Sequence, residues 1–571
     1  MENIKKNVVV IGAGPSGLTA IKGLLEEGHQ VICFEKSKDL GGVYRYDPNG
    51  IGVYESAQLT SSALITSFSD FPVAPDAPFH LKHDQYFQYL QGYAQGFGLM
   101  EHIKFQHKVN HVEHLPEGTW RVKVFNEILG QEEQYIFDAV AVCAGVHQQI
   151  SIPDIKNKES FKGSIIHSGF YKNAESFKDK NVLIVGGGES GSDIVEEVSK
   201  VSKSCILSLR RGILMIPRLT LGIPNDFFVS RLYCTSPQWF LKMRHKSFFH
   251  WPTLSLFFLL ILLFIGVLVF ILGSTEIIAL LFLIGFTSFA IYATFKIFQF
   301  QQYIGLEESL IIKQLKKESL AGHDEQFATK CHGIARAIAQ KKCSLKPAIK
   351  SFTTQGVEFV DGTHCDADTV IFCTGYVTTY PFLGIDRLDC RNLYKNCFDP
   401  FIGSTLCILG VARPAIGAIP PIAEMQARWF AQILSGNRQL PALDVMQKEI
   451  VQDTKMHKDF FAVVSDRITG LVDYSSYMDQ LAGFVGCKPR WKDLWKDPVL
   501  LFRVHFNPFL ACQYRLIGPH PKRELARKTM TSVRLNVFQM LTNSTILCVV
   551  LISKILHGLG LKYFKTHLRL G

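Results

Sequence analysis

The sequence lacks the cysteine patterns that mark disulfide scaffolds, dithiol redox enzymes and zinc sites. It has fourteen cysteines, but they are dispersed and none forms a Cys-x-x-Cys pair, which argues against a disulfide reductase. Cys33, Cys143 and Cys373 lie within apolar, strand-like runs. This placement predicts buried, reduced thiols in a reducing compartment. No metal site is predicted.

Signals for nucleic-acid binding and for secretion are also missing. The formal net charge of +11 and the isoelectric point of about 8.9 suit anionic cofactors or an anionic membrane face. No long basic run is interleaved with aromatic residues, so nucleic acid is not an expected partner. Residues 1–6 lead directly into an apolar strand pattern without a secretory apolar region. We therefore expect the first domain to stay in the cytosol.

Charged residues are absent from two long stretches, residues 254–272 and 277–295. Each run has 19 residues, which as a helix would extend about 28 Å, close to the thickness of a bilayer core. The pair predicts a transmembrane hairpin at about 252–298, with a hydrophobic core or a dimer-forming insert as the alternatives. Basic residues flank the outer ends, so both ends are expected in the cytosol.

The C-terminal stretch 546–561 is apolar but contains Lys554 and His557. A lysine near the centre of a bilayer costs about 2.5–3.5 kcal/mol. The stretch therefore favours a membrane-associated interfacial helix or weak anchor, and an ordinary packed helix stays open as the alternative.

A glycine loop follows the first strand pattern, residues 7–11. In Gly12-Ala13-Gly14-Pro15-Ser16-Gly17, Gly12 permits a tight turn, Gly14 lets the backbone approach a pyrophosphate, and Gly17 allows close packing of helix on strand. The following helix begins at the phosphates, which its free N–H groups can bind. The next strand ends at Glu35, 18 residues beyond Gly17, where an acid can hold ribose hydroxyls. These features predict an FAD site.

A second loop of the same type spans residues 186–191. It contains Gly186, Gly188, Ser190 and Gly191, and the strand after it ends in Arg210-Arg211 instead of an acid. Arginine accepts a 2′-phosphate with forked, charge-assisted hydrogen bonds. We therefore predict NADPH, with Arg210 as the main contact; the alternative is that Arg210 only solvates the strand end. Two dinucleotide sites in one chain imply electron transfer from the nicotinamide to the flavin.

Several longer stretches resemble the flavin-containing monooxygenases, a family of class B flavin-dependent monooxygenases. The linker 161–172 contains the family fingerprint Phe-x-Gly-x-x-x-His-x-x-x-Tyr-Lys, and residues 372–376 match its Phe-x-Thr-Gly-Tyr segment. The resemblance covers about residues 5–530, apart from an insert near 235–325. Further matching stretches are 69–72, 424–429, 477–481 and 513–519.

The resemblance implies a reaction and a set of cofactor contacts. In this family NADPH reduces FAD, oxygen adds to the reduced flavin as a C4a-hydroperoxide, and a soft nucleophile attacks the distal oxygen. The cofactor carries the difficult chemistry, so no Ser-His-Asp set or carboxylate pair is expected. The fingerprint is implied to lie between the two nucleotide domains, although His167 is equally well explained as a structural histidine. The implied cofactor-binding positions beyond the loops are Gly42, Tyr44, Thr60, Thr374, Gly375 and Gln426.

Three positions depart from the family pattern. Thr60 stands where the family usually has an Asn beside the flavin, and it is our one candidate catalytic position; its single hydroxyl replaces an amide and a carbonyl. Tyr44 replaces a Trp and keeps an aromatic ring. Glu189 replaces an Asn in the second loop, and because a carboxylate beside a pyrophosphate is unfavourable, we expect it to point away.

Function classes other than N- or S-oxygenation stay open at this point. They are Baeyer–Villiger oxidation of ketones, an uncoupled NADPH oxidase that makes hydrogen peroxide, and a flavin-bearing scaffold without turnover. Tyr171 and Lys172 disfavour the Baeyer–Villiger class, which typically has Trp at the first position and Pro or Asp at the second. Complete nucleotide loops disfavour the scaffold.

The predicted fold class is α/β, with two Rossmann-like dinucleotide-binding domains, the NADPH domain inserted in the FAD domain, a transmembrane hairpin and a membrane-associated tail. The expected localisation is a membrane, the endoplasmic reticulum if the source is eukaryotic, with the catalytic domains facing the cytosol. The expected partners are a small nucleophilic substrate, oxygen and membrane lipid, and a homo-oligomer is left open. The predicted divisions are 1–160 (FAD), 161–235 (NADPH), 236–330 (insertion), 331–450 (return to FAD), 451–530 (C-terminal region) and 531–571 (tail).

Overall fold

A computed structural model of the chain shows a mixed α/β fold built on two parallel sheets. It describes residues 4–213, 215–220, 222–234, 306–317, 329–460 and 469–535, with five further positions between 539 and 547. The longer helices are Pro15–Glu26, His83–Gly96, Glu189–Val201, Leu306–Lys317, Gly333–Ala339, Ile419–Leu434, Leu443–Phe460, Tyr474–Val485, Pro498–Phe506 and Arg523–Ser532. Three four-residue helices are Ala63–Thr66, Arg231–Cys234 and Trp491–Leu494.

The first sheet carries the first glycine loop. Its central strand, Asn7–Ile11, is buried at four of five positions and pairs in parallel with strands on both sides, as the β-branched sequence predicts for a strand covered on both faces. Helix Pro15–Glu26 packs on this sheet and against helix Ile419–Leu434. The spatial order of the strands is Leu406–Ile408, Ala139–Val142, Asn7–Ile11, Gln30–Glu35, Ile103–Phe105.

The second sheet carries the second glycine loop and is also wholly parallel. Its order is Ser344–Lys346, Ser204–Ser208, Asn181–Val185, Thr369–Phe372, Ser164–His167. Two antiparallel three-stranded sheets accompany the parallel ones: His107–His114, Trp120–Asn126 and Gln131–Phe137, and Ile349–Phe352, Gly356–Phe359 and His364–Asp366.

One strand lies in a different sheet from the one the sequence suggested. The predicted return to the FAD domain at 331–450 includes the strand Thr369–Phe372, but this strand pairs in parallel with Asn181–Val185 of the second sheet. An apolar, fully buried strand fits any parallel sheet, so its pattern alone does not decide its neighbours. The chain returns to the first domain after this strand, later than residue 331; the remaining domain divisions stay predictions.

The membrane part of the predicted fold class is corrected. Among the helices in the described ranges, none combines the length and the apolar character that a membrane span requires. The two apolar runs at 254–272 and 277–295 lie outside the described residues, as does most of the stretch 546–561. The fold class is therefore mixed α/β with two Rossmann-like domains, and the membrane localisation that rested on the hairpin is withdrawn with it.

The two domains meet where the chain crosses between them. Residues Gln149–Ile150 pair antiparallel with Tyr376–Val377, and the hydroxyl of Thr374 donates to the carbonyl of Ser151. Gly375 lies between these contacts with φ of +76°, a left-handed conformation that favours glycine.

Candidate active site

The first glycine loop has the geometry that a dinucleotide pyrophosphate needs. Gly12 has φ of +100° and donates its N–H to the carbonyl of Phe34 at 2.9 Å. A Cβ built on Gly17 would lie 1.8 Å from the carbonyl oxygen of Gly12, so only glycine lets the helix approach the strand this closely. The helix starts at Pro15 without an acidic residue in its first turn, so its N-terminus suits a phosphate.

Glu35 connects the loop with the end of the second strand. Its Oε2 accepts the N–H of Ala13 at 2.7 Å, and its Oε1 accepts the N–H of Ser37 at 2.8 Å. Each carboxylate oxygen has a second lone pair, which suits a ribose hydroxyl donor. The residues present therefore fit the adenosine half of FAD.

Gly42 and Tyr44 border the same loop from the other side. A Cβ on Gly42 would lie 3.2 Å from the Cα of Gly14, which brings the two backbones into near contact. The ring of Tyr44 meets that of Tyr86 edge-on at 4.6 Å, and burial raises the pKa of Tyr44 to about 12. The phenol is therefore neutral and acts as an apolar wall with one polar end.

The second glycine loop repeats the construction. Gly186 has φ of +104°, and a Cβ on Gly191 would lie 2.2 Å from the carbonyl oxygen of Gly186. A Cβ on Gly188 would meet no described atom within 4 Å. Open space above Gly188 at the start of helix Glu189–Val201 suits a pyrophosphate, and Ser190 lies in the first turn of that helix.

Arg210 and Arg218 both follow the strand Ser204–Ser208, and sequence reasoning named only Arg210. Arg210 is exposed just beyond the strand Ser204–Ser208, and its contact with the 2′-phosphate stays a prediction. Arg218 was missed because it lies outside any motif; its Nη2 bonds Asp193 at 3.1 and 3.3 Å. Burial works against its charge, but Asp193 and further anions raise the pKa of Arg218 above its usual value.

Glu189 is turned toward the segment after the insertion. Both its carboxylate oxygens accept the backbone N–H of Lys330, at 3.0 and 3.1 Å. Burial raises the pKa of Glu189, and the charges of Lys330, Arg218 and Arg413 oppose that rise. Burial lowers the pKa of Lys330 and of Arg413, because it disfavours their positive charges, and the nearby Glu189 carboxylate opposes both shifts. Glu189 therefore belongs to a cluster of charged side chains with Lys330, Arg218 and Arg413.

His167 is a satisfied structural histidine. Its Nδ1 accepts the N–H of Gly169 at 3.1 Å, and its Nε2 lies 3.0 Å from the carbonyl of Gly375. One neutral tautomer serves both contacts, and burial lowers the pKa of His167 accordingly. Lys172 also ties the fingerprint to the first domain, since its Nζ donates to the carbonyl of Val53.

Thr60 lies half-buried in a segment held from three sides. The N–H of Leu59 donates to Leu81, the hydroxyl of Ser61 donates to the carbonyl of Gly417, and the N–H of Ser62 donates to Asp226 Oδ2 at 2.7 Å. These contacts set the position of Thr60 through its neighbours. Its role beside the flavin stays a prediction.

Gln426 contacts the first glycine loop indirectly, through Gly410. Its Oε1 accepts the N–H of Gly410 at 3.0 Å, and its Nε2 donates to Tyr477 at 2.9 Å. Gly410 lies against Ser16 of the loop, since a Cβ there would lie 2.2 Å from the Ser16 hydroxyl. Both polar atoms of the Gln426 amide bond to groups of the protein. The geometry therefore favours a role in supporting the loop over the predicted direct contact with the cofactor.

Three of the other family stretches, 69–72, 424–429 and 513–519, converge with Lys22 in one buried ionic cluster. Arg515 Nη2 lies 2.9 Å from Asp70 and 3.0 Å from Glu424, and Lys22 also pairs with Asp70. The side chains of Arg515 and Asp70 are 1% and 0% exposed. Burial disfavours the Asp70 carboxylate, but Arg515 and Lys22 lower the pKa of Asp70 overall. Four stretches of sequence thus brace the first domain behind its glycine loop.

Two dinucleotide loops with complete supporting geometry in one chain define the class of an FAD- and NADPH-dependent oxidoreductase. Comparison with known proteins identifies the family. The profile described as flavin-binding monooxygenase-like matches residues 5–251 and 319–555, and the chain belongs to this family. Its members are oxidoreductases, and the cofactors are FAD and NADPH.

Relatives with different named activities match almost the whole chain. A 4-hydroxybenzoate brominase (decarboxylating) from Marinomonas mediterranea is 35% identical over 534 residues, 92% of each chain. Flavin-containing monooxygenase 5 from Oryctolagus cuniculus is 33% identical over 546 residues, also 92% of each chain.

Solved structures show the same fold at lower identity. The S-allyl-L-cysteine S-oxygenase from Allium sativum has a TM-score of 0.58 at 21% identity and covers 93% of this chain and 100% of its own. An open structure of cyclohexanone monooxygenase has a TM-score of 0.55 at 15% identity and covers 84% of this chain and 97% of its own.

Proposed function

We propose that this enzyme inserts one atom of molecular oxygen into a soft nucleophile, an amine nitrogen or a thioether sulfur. The observation that carries the proposal is the pair of glycine loops, each with close helix–strand packing at its third glycine, on two parallel sheets linked at Gln149–Ile150 and Tyr376–Val377. When bound, FAD supplies the oxygen chemistry and NADPH the hydride. The relatives named for monooxygenation and S-oxygenation support this choice.

The chain's own residues have binding and positioning roles in this proposal. The loop at 12–17 and Glu35 hold the adenosine pyrophosphate of FAD. The loop at 186–191 holds that of NADPH, with Arg210 and Arg218 at the 2′-phosphate. Thr60 borders the reacting ring, where one hydroxyl offers fewer hydrogen bonds than the Asn that the family usually has.

Halogenation of a phenolic acid is the second candidate. The brominase from Marinomonas mediterranea is 35% identical over 92% of the chain. The partly buried cations Lys330 and Arg413 near the second loop suit a halide or a carboxylate. Baeyer–Villiger oxidation and peroxide production are separate outcomes of the same assay.

The test follows electrons and oxygen in the flavin-loaded enzyme. Consumption of NADPH and O2, release of hydrogen peroxide and formation of product are measured with an amine, a thioether, a ketone, and 4-hydroxybenzoate plus bromide. An N- or S-oxide in a fixed ratio to NADPH supports the proposal. A brominated product, a lactone or ester, or peroxide equal to all NADPH consumed contradicts it in favour of the corresponding alternative.

Thr60→Asn is the informative variant for this assay, and Thr363→Asn on the surface is its control. If Thr60 borders the flavin, the amide supplies added hydrogen bonds and the fraction of NADPH lost to peroxide falls. An unchanged peroxide fraction in Thr60→Asn would remove Thr60 from the site.

A further inference from the structure

The segment 52–58 is hydrogen-bonded through its backbone to both domains. Two of its N–H groups donate to carbonyl groups of the fingerprint linker, and two further backbone bonds join it to the first domain. The bonds to the linker run from Gly52 to Gly169 at 3.2 Å and from Glu55 to Lys172 at 3.0 Å, and those to the first domain run from Val53 to Val43 at 3.3 Å and from His83 to Ala57 at 2.9 Å. The segment is therefore fixed between the two nucleotide sites.

The side chain of Tyr54 extends from this segment into the second domain. Tyr54 is 9% exposed and belongs to the apolar cluster that contains residues of the second sheet and of helix Glu189–Val201. Its ring meets the ring of Tyr171 edge-on at 5.6 Å. Its hydroxyl donates to Oδ2 of Asp193 at 2.6 Å. Asp193 lies in the same helix, which begins at the second glycine loop, so this hydrogen bond joins the segment to the helix that follows the loop.

Asp193 has further partners, all of them in the second domain. Its carboxylate pairs with Nη2 of Arg218 at 3.1 and 3.3 Å, and its Oδ1 accepts the thiol of Cys331 at 2.9 Å. Arg218 Nη1 lies 3.5 Å from Oε1 of Gln58, at the end of the segment. Burial, and after it the charge of Asp193, raise the pKa of Tyr54 well above its ordinary value. The phenol therefore keeps its proton and donates it to the carboxylate.

A second side-chain bond follows one helical turn further along. The hydroxyl of Ser56 donates to the carboxylate of Glu197, which also accepts the hydroxyl of Tyr171 at 2.6 Å. Residues four apart lie on the same face of a helix, so Asp193 and Glu197 present one face to the segment.

Both ends of the segment lead toward the predicted flavin side. Gly42 lies ten residues before Gly52, and a Cβ on Gly42 would lie 3.2 Å from the Cα of Gly14 in the first loop. Thr60, whose place beside the flavin is a prediction, follows Gln58 by two residues. A shift of the helix relative to this segment would therefore change the distance between the two cofactor sites.

We propose that Tyr54 and Asp193 are positioning residues for hydride transfer, because their hydrogen bond fixes the NADPH-binding helix against the flavin-side segment. Neither side chain needs to touch a cofactor in this role. The inference needs only FAD and NADPH, the cofactors of the family, and it does not depend on which substrate is oxygenated. A misplacement of about 1 Å can slow a reaction about 100-fold, whereas the affinity for NADPH depends on contacts along the whole dinucleotide.

The variant that tests the inference is Tyr54→Phe, which removes the hydroxyl and keeps the ring. The FAD-loaded enzyme is reduced by NADPH in a stopped-flow instrument without oxygen or substrate, which gives the limiting rate and the Kd for NADPH separately. We expect the limiting rate to fall about 10- to 100-fold while the Kd changes by less than about threefold. The change in flavin absorbance on addition of NADP+ should also differ in shape from that of the wild type, because it reports on the position of the nicotinamide.

Tyr46→Phe is the matched control. The phenol of Tyr46 donates to the carboxylate of Glu55 at 3.3 Å, a bond between two first-domain side chains that does not reach the helix. This variant should keep the wild-type limiting rate and the wild-type flavin spectrum.

A double-mutant cycle tests whether Tyr54 and Asp193 act through one bond. If they do, the variant that carries both Tyr54→Phe and Asp193→Ala has a limiting rate no lower than that of Asp193→Ala alone. Only limiting rates are compared in this cycle, because Asp193 also pairs with Arg218.

Several results would overturn the inference. They are an unchanged limiting rate in Tyr54→Phe, a rise in Kd alone, an equal loss of rate in Tyr46→Phe, and independent effects in the double variant. Loss of FAD or a lowered melting temperature in Tyr54→Phe would assign the hydroxyl to stability and would overturn it as well. Expected reduction kinetics without any N- or S-oxide in the aerobic assay would support the inference and count only against the proposed oxygenation.

Discussion

A methyl group added at Gly17 should weaken FAD binding, whereas the same change at Gly23 in the same helix should not. A Cβ at position 17 would lie 1.8 Å from the carbonyl oxygen of Gly12, whereas a Cβ at position 23 would lie 3.5 Å from Ala427. The first distance is far inside ordinary contact and the second is normal packing.

The size of the effect follows from the required movement. Since side-chain carbons essentially never approach within 3.0 Å, helix and loop must separate by at least 1.2 Å (3.0 minus 1.8) in Gly17→Ala. Such overpacking costs about 1–3 kcal/mol, or roughly 5- to 150-fold in FAD affinity if the bound state carries all of it. Gly23→Ala instead gains up to about 1 kcal/mol of helix propensity.

The assay is FAD content per purified chain, followed by titration of the apoprotein with FAD and by melting temperature with and without added FAD. We expect Gly17→Ala to lose flavin and Gly23→Ala to retain it with an unchanged or higher melting temperature. Full flavin content and unchanged affinity in Gly17→Ala would refute the close approach of helix to loop.

Four further changes test separate parts of the site. The Cβ added in Gly188→Ala would meet no atom of the described residues within 4 Å, so this variant should keep FAD and stability but raise the KM for NADPH; an unchanged KM would show that the pyrophosphate lies elsewhere. Arg210→Ala should lower the preference for NADPH over NADH roughly 10- to 150-fold, measured as the ratio of kcat/KM values; an unchanged ratio would remove Arg210 from the phosphate site. Because burial raises the folded-state pKa of Glu189, ionisation costs stability as pH rises through and above the ordinary glutamate range, so Glu189→Gln should gain melting temperature relative to wild type from pH 4 to 7, and a constant difference would contradict this. Asp70→Asn leaves buried cations uncompensated and should cost about 3–5 kcal/mol in denaturant unfolding; a loss below 1 kcal/mol would show that the cluster is not a stabilising unit.

Local patterns were enough to predict the nucleotide sites. The order of strand, glycine loop and helix depends on backbone conformation and on the space at single glycines, and both are properties of neighbouring residues. The structure shows the expected backbone geometry in the loops at 12–17 and 186–191 and places Glu35 against the first loop, whereas the cofactor contacts of these residues and of Arg210 stay predictions.

Pairings between distant residues were not predictable in the same way. A buried strand such as Thr369–Phe372 looks alike in either sheet, and Arg218 belongs to no motif. The membrane hairpin was inferred from hydropathy alone, and no described helix meets the requirement for a span.

What the sequence by itself determined is the chemistry that depends on short-range geometry: two dinucleotide loops and hence an FAD- and NADPH-dependent enzyme. The tertiary structure alone decided what depends on contacts across hundreds of residues. Arg515 forms ion pairs with Asp70 and Glu424. Glu189 accepts the backbone N–H of Lys330. Asp226 accepts the N–H of Ser62, two residues after Thr60. The physical reason is that burial and partner choice are set by the whole packed chain, and no spacing of residues along the sequence encodes them.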